Sequence, residues 1–131
     1  MHIRGIGTDI IEVERLKKAV DRRGRRFLQR VFTAGELSFC LRRTDPYPCL
    51  AARFAAKEAV LKSLGSGLAG CRWTDVEVVR TGTGPPEIVL DGGARDIARE
   101  AGIARIIISL SHDRGSALAF ALAVGDGGWS E

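Results

Sequence analysis

Hydrophobic and polar positions recur with a helical period most clearly between residues 50 and 64. Laid out at about 100° per residue, Leu50, Phe54, Leu61 and Leu64 form one stripe with Val60 at its edge, which predicts a helix carrying that stripe against a core. Ala and Leu dominate the segment, no proline interrupts it, and Gly65 stands where helices commonly end in a left-handed residue. Lys57 falls inside the apolar stripe, where a lysine must snorkel, pair with a carboxylate or lose basicity. Glu58 and Lys62 lie on the neighbouring face beside Ala51 and Ala55. Two readings stay open for them: a surface ion pair worth about 0.2–0.5 kcal/mol, or charged groups to which the small alanines give a ligand access.

Residues 1–11 read as a strand in which Gly5 and Gly7 are weakening unless a backbone or a ligand comes close there. Asp9 is either the cap of the next helix or a functional carboxylate at the strand's end. Val13, Leu16 and Val20 predict a helix over 12–21, stopping near Gly24. An apolar patch at Phe27, Leu28, Val31 and Phe32 precedes Thr33 and Glu36, whose spacing suits a capping box opening a helix to about residue 43. Pro46 and Pro48 then break the chain, so the long helix is expected to begin beyond them. Residues 73–80 and 87–90 suit two strands around turn chemistry at 81–86, and 93–101 a short helix. An apolar strand at 105–112 ends in Ser109, Ser111 and His112; a turn at Asp113 to Gly115 joins it to a second strand at 117–124. A single domain is expected over 1–125, with a tail at 126–131.

Composition places the chain among ordinary soluble globular proteins: 131 residues, 45% hydrophobic and 27% charged. No apolar run approaches the ~18–20 residues of a membrane span, and the N-terminus lacks the basic-then-apolar pattern of a signal peptide, so no membrane contact and a cytoplasmic address are expected. Cys40, Cys49 and Cys71 are odd in number and form no CxxC, which predicts ordinary thiols rather than a disulfide framework or a zinc site. The net charge of +4 is mildly basic. Its distribution says more: Arg15, Lys17, Lys18, Arg22, Arg23, Arg25, Arg26 and Arg30 crowd together against the single acid Asp21. One-signed charge of this density is either a solvated face or a surface for an acidic partner, and without interleaved aromatic residues nucleic acid is not expected. Gly65, Gly67 and Gly70 offer backbone amides to a phosphate, or simply make a cap and turn.

Three segments, Gly5-Ile-Gly-Thr-Asp-Ile-Ile11, Arg53-Phe-Ala-Ala-Lys-Glu-Ala-Val-Leu-Lys62 and Ser109-Leu-Ser-His112, together resemble the holo-[acyl-carrier-protein] synthase family, the short 4′-phosphopantetheinyl transferases of fatty acid synthesis. The resemblance implies an α+β single domain, an antiparallel sheet packed with a long central helix, assembled as a homotrimer with sites between subunits. It implies Mg²⁺ held by Asp9 and Glu58, in keeping with an ion that takes one or two protein carboxylates and leaves other places to water and phosphate. CoA is the implied co-substrate, its phosphates met by Lys62 with Lys57 in support, and its nucleotide by Arg53, Ser111, His112 and the backbone of Gly65 and Gly67. Glu58, Lys62 and Lys57 are the implied catalytic set; the proton of the carrier serine goes to water on the ion or to Glu58 through water, with Asp113 a lesser alternative. Arg15, Lys18, Arg22, Arg25 and Arg26 are the implied contacts for an acidic acyl carrier protein. A transferase serving polyketide or peptide-synthase carriers and a non-enzymatic basic binding module are the alternatives.

Overall fold

The computed structural model describes residues 1–126, so the tail expected at 126–131 lies, apart from Asp126, outside the described residues. In chain order the elements are β1 (His2–Glu12), α1 (Val13–Arg23), α2 (Arg25–Val31), α3 (Ala34–Leu41), α4 (Tyr47–Leu64), β2 (Val76–Val79), β3 (Glu87–Leu90), α5 (Gly92–Glu100), β4 (Arg105–His112) and β5 (Ser116–Gly125). The larger sheet is antiparallel in the order β1-β5-β4, and β2 and β3 form a separate hairpin. The α+β architecture with a central helix is therefore present. No described helix is long and apolar enough to cross a membrane.

Small residues on one face of the sheet decide how α4 sits on it. On β5, Ala117, Ala119, Ala121 and Ala123 are each fully buried. On β1, Gly7 is opposite Ala121 and Asp9 opposite Ala119, so glycines and alanines make up much of this surface. A Cβ on Gly5 would overlap the carbonyl oxygen of Ser63, and one on Gly7 that of Ala59. The backbone approach that glycine in a strand implies is thus made by α4 itself.

Helix α4 departs from the expectation of a single apolar stripe. From Cys49 onward only Lys62 is exposed, with Phe54 and Glu58 half-buried, because the sheet, α3 and β2 all pack around it. It also begins earlier than expected: Pro48 lies in its first turn, where the missing N–H needs no partner and the fixed φ already suits a helix. Gly65 closes it in the left-handed conformation at φ 84°. The patch around Phe27 and Leu28 is helical, as α2, and the strand expected from residue 73 starts with a single 3₁₀ turn over Trp73–Asp75.

The cysteine expectation is corrected. Cys40 in the last turn of α3 and Cys49 in the first turn of α4 form a disulfide, with Cα atoms 5.5 Å apart. The connection between the helices doubles back and brings their ends together, which a spacing of nine residues does not reveal. Cys71 is a free thiol.

Lys57, which the resemblance makes a support for the CoA phosphates, is held inside the scaffold. Its ammonium is fully buried and lies 2.8 Å from Glu36 Oε1. It donates to the Trp73 carbonyl at 3.1 Å and to the Val76 carbonyl. Burial pulls its basicity below the ordinary lysine range, against the opposing charge of Glu36. Glu36 in turn completes the capping box with Thr33 and accepts the Val78 N–H at 2.7 Å, so one carboxylate fastens α3, α4 and β2 together. Removing one partner leaves an uncompensated buried charge. Lys57→Met is expected to lower the free energy of unfolding by about 3–5 kcal/mol, and Lys57→Met combined with Glu36→Gln to cost less than the sum of the two single changes. Urea denaturation of the four proteins checks this, and a Lys57→Met midpoint equal to wild type would contradict it.

Candidate active site

Asp9 does not end its strand but lies within β1, and the N-cap position of α1 falls to Glu12, which makes no side-chain cap. Two residues beyond Gly7, it lies on the same face of the strand, the face on which α4 packs most closely at Gly5 and Gly7. Lys62 Nζ is 3.3 Å from Asp9 Oδ1 and donates to the Thr8 carbonyl at 3.0 Å. Glu58, one turn earlier on α4, and Asp9 both line an open cavity of about 300 Å³, whose walls include Arg15 and Phe27 from the basic helices and Phe54 from α4. Glu58 is held above the usual carboxylate range, first by burial and then by the like charge of Asp9, with Lys62 opposing. Two carboxylates therefore share one small site and repel each other there.

A second cavity, of about 350 Å³, lies at the other end of α4. Arg43, Arg53, Arg80 and His112 line it, with Phe39 and Cys49 in its wall. Arg53 is only 4% exposed, its guanidinium stacks over the Phe39 ring at 4.4 Å, and its Nε has no hydrogen-bond partner among the described residues. Burial lowers its basicity against the raising effect of Glu36, and the charges of Arg43 and Arg80 lower it further. Arg43 stacks on the same ring, also at 4.4 Å. Three guanidinium groups and an imidazole, set against the single carboxylate of Asp45, leave the space net positive and favour an anion with several oxygens.

The residues singled out in the sequence divide among these places. Asp9, Glu58 and Lys62 come together; Arg53 and His112 come together elsewhere; Lys57 joins neither group. Ser111 pairs with Leu118 and, by strand alternation, occupies the face of β4 opposite to His112. Gly65 and Gly67 follow α4 with φ of 84° and 59°, and space is open around both. Asp113 is a turn residue: its Oδ1 accepts the N–H groups of Gly115 at 3.0 Å and Ser116 at 2.9 Å, which hold it below the usual carboxylate range and make it a poor base.

Lys18, Arg22 and Arg25 are exposed on α1 and α2. Arg26 lines a groove with Arg23, Phe27 and Arg30, and Phe27 also belongs to the Asp9 and Glu58 cavity. The basic surface therefore runs up to the paired carboxylates. Arg43, Arg80 and Phe39 are site residues that sequence reasoning did not single out, because only the folding of β2 against α3 and α4 gathers them.

The family model described as the 4′-phosphopantetheinyl transferase superfamily matches residues 5–121. A holo-[acyl-carrier-protein] synthase of Desulforudis audaxviator is 48% identical over 123 residues, covering 94% of this chain and 94% of that protein. Among solved structures, the holo-[acyl-carrier-protein] synthase of Neisseria meningitidis superposes with a TM-score of 0.86 at 32% identity, covering 94% of this chain and 99% of that one. That of Helicobacter pylori, in complex with coenzyme A, gives 0.80 at 29% identity, over 91% and 99%. Because both the family model and a nearly half-identical relative span the strand of Asp9, the helix of Glu58 and the closing hairpin, this chain belongs to the 4′-phosphopantetheinyl transferase superfamily, among the holo-[acyl-carrier-protein] synthases.

Proposed function

We propose that the protein transfers the 4′-phosphopantetheine group of CoA to a serine of an apo-acyl carrier protein, releasing adenosine 3′,5′-bisphosphate, in the cytoplasm. The observation that carries this reading is the convergence of Asp9 and Glu58 on one cavity continuous with a basic docking surface. Among the described residues no cluster of three or more metal-ligating side chains exists. A pair of carboxylates alone suits Mg²⁺, which leaves its other places to water and substrate phosphate, and a cation would relieve the repulsion that Asp9 exerts on Glu58. Asp9 and Glu58 would hold the ion, which when bound offsets charge on the pyrophosphate during phosphoryl transfer.

The chain's own groups have separate tasks in this scheme. Glu58, kept more basic than an ordinary carboxylate by burial, accepts the serine proton through water as the serine oxygen bonds to the β-phosphorus and the bridge to the α-phosphate breaks. Lys62, whose side chain is 53% exposed, pairs with Asp9 in the structure and would offset charge on the leaving phosphate from the same place. Arg53, with its unsatisfied Nε, and His112, Arg43 and Arg80 receive the nucleotide's phosphates. Arg15 and the exposed cations of α1 and α2 attract the acidic carrier and orient its serine toward the cavity they border.

A homotrimer fits the outer face of the sheet. Ile10, Leu118 and Ser111 form one row across the strands, Thr8, Phe120 and Ser109 the next, and Ile6, Leu122 and Ile107 a third. Ile10 is 66% exposed and Phe120 43%, too much contiguous apolar surface for a free face. A second copy packed there also covers Ser111, which gives that residue a place beside a neighbour's nucleotide.

Mixing the protein with CoA, Mg²⁺ and apo-carrier is expected to add one phosphopantetheine mass to the carrier, with loss of the reaction in EDTA. Asp9→Ala and Glu58→Ala are each expected to slow it by at least about 100-fold, the scale for removing a charge-stabilising group, and Arg15→Glu to raise the KM for the carrier more than it lowers kcat. Absence of the mass gain beside an active control favours the binding-module alternative. Light scattering is expected to give three chains for the wild type and one for Phe120→Asp; a monomeric wild type would remove the trimer from the scheme.

A further inference from the structure

The disulfide between Cys40 and Cys49 has no task in the transfer reaction, yet it borders the arginine cavity directly. Cys49 lines that cavity, and Phe39, the residue before Cys40, carries the rings' stacking load for both Arg43 and Arg53. Oxidation therefore ties the last turn of α3 to the first turn of α4 across the connection that bears Arg43. We propose that Cys40 and Cys49 form a thiol–disulfide exchange site for an anionic low-molecular-weight disulfide, and that their oxidation state sets the affinity of the arginine cavity for the bisphosphorylated nucleotide. The second half rests on the proposed function, which supplies the nucleotide.

The chemistry assigns the two sulfurs different roles. Cys49 is 8% exposed, opens onto the cavity and lies in the first turn of α4, where free backbone N–H groups favour an anion. Cys40 is fully buried near the end of α3, where they do not. As thiolate, Cys49 attacks one sulfur of the incoming disulfide RSSR, forming a Cys49 mixed disulfide and releasing RS⁻. Cys40 gives up its proton and its sulfur attacks that of Cys49, closing the protein disulfide and releasing the second RS⁻. Two protein thiols are oxidised, one RSSR is reduced, and the two thiol protons end on two RSH. Arg43, Arg53 and Arg80 outnumber the one carboxylate of the cavity, Asp45, and keep the surroundings of Cys49 positive enough to draw an anionic disulfide. In the cytoplasm of the proposed function, where thiols are kept reduced, a disulfide is more commonly reversible than permanent.

The consequence for the site is preorganisation. With the bridge closed, Phe39 is fixed beneath both guanidinium groups, and the nucleotide's phosphates meet arginines already in place. With the bridge open, the end of α3 and the following turn must be ordered on binding, which weakens affinity.

The test compares one protein in two states: oxidised with glutathione disulfide, and reduced with a phosphine that is then removed. Alkylation under denaturing conditions followed by intact mass is expected to count one labelled thiol, Cys71, after oxidation and three after reduction, since the chain has three cysteines. Calorimetric titration with adenosine 3′,5′-bisphosphate is expected to give a Kd roughly fivefold weaker in the reduced state, the size of a modest loss of preorganisation. Cys40→Ser combined with Cys49→Ser is expected to bind like the reduced protein after either treatment. Three labels after glutathione disulfide would overturn the exchange site. Equal affinities with one and three labels would overturn the coupling alone, while no binding in either state would overturn both the coupling and the nucleotide site of the proposed function.

Discussion

The contact on which the rest of the molecule depends is the approach of the α4 backbone to β1 at Gly5 and Gly7. A single methyl group at either position would meet a carbonyl oxygen of Ser63 or Ala59. Because the strand offers no side chains there, and β5 offers only alanines beside it, the helix lies lower on the sheet than larger residues permit. The next residue on that face of β1 is Asp9, and its opposite number on α4 is the turn holding Glu58 and Lys62. The paired carboxylates thus lie beside the closest packing of helix on strand, each carried by a regular element. Loops position neither of them.

A second constraint fixes the rotation of α4 about its own axis. The helix is buried on nearly every side, so hydrophobicity alone does not specify which face meets the sheet. The Glu36–Lys57 ion pair does, because Lys57 is anchored toward α3 and β2 by an ion pair and two backbone carbonyls. Its neighbour Glu58 then faces β1. A hydrophobic pair of similar size would hold the elements together at less desolvation cost. The same arrangement leaves Arg53, one turn back from Lys57, facing the second cavity.

Much of this is legible in the sequence. The long helix and its Gly65 stop, the Thr33 and Glu36 capping box, both hairpins and the need for a close approach at Gly5 and Gly7 follow from local chemistry, and local chemistry is where a sequence is explicit. Lys57 in an apolar stripe announces a buried partner, but Glu36 lies 21 positions earlier and nothing local names it. Cys40 and Cys49 flank a connection whose path decides whether they meet. Arg43 and Arg80 look like ordinary surface cations until β2 folds beside α3 and α4. Pro48 misleads because the rule that proline breaks helices reverses in the first turn.

The convergence of Asp9 and Glu58 on a single divalent cation is tested most directly by crystals of the protein grown with CoA and Mn²⁺ in place of Mg²⁺, using anomalous scattering to locate the metal. One manganese peak within bonding distance of both carboxylates is expected, about 2.0–2.3 Å from an oxygen of each, near the range for hard cations. A peak bound by neither side chain, or by CoA phosphates alone, would contradict the shared site.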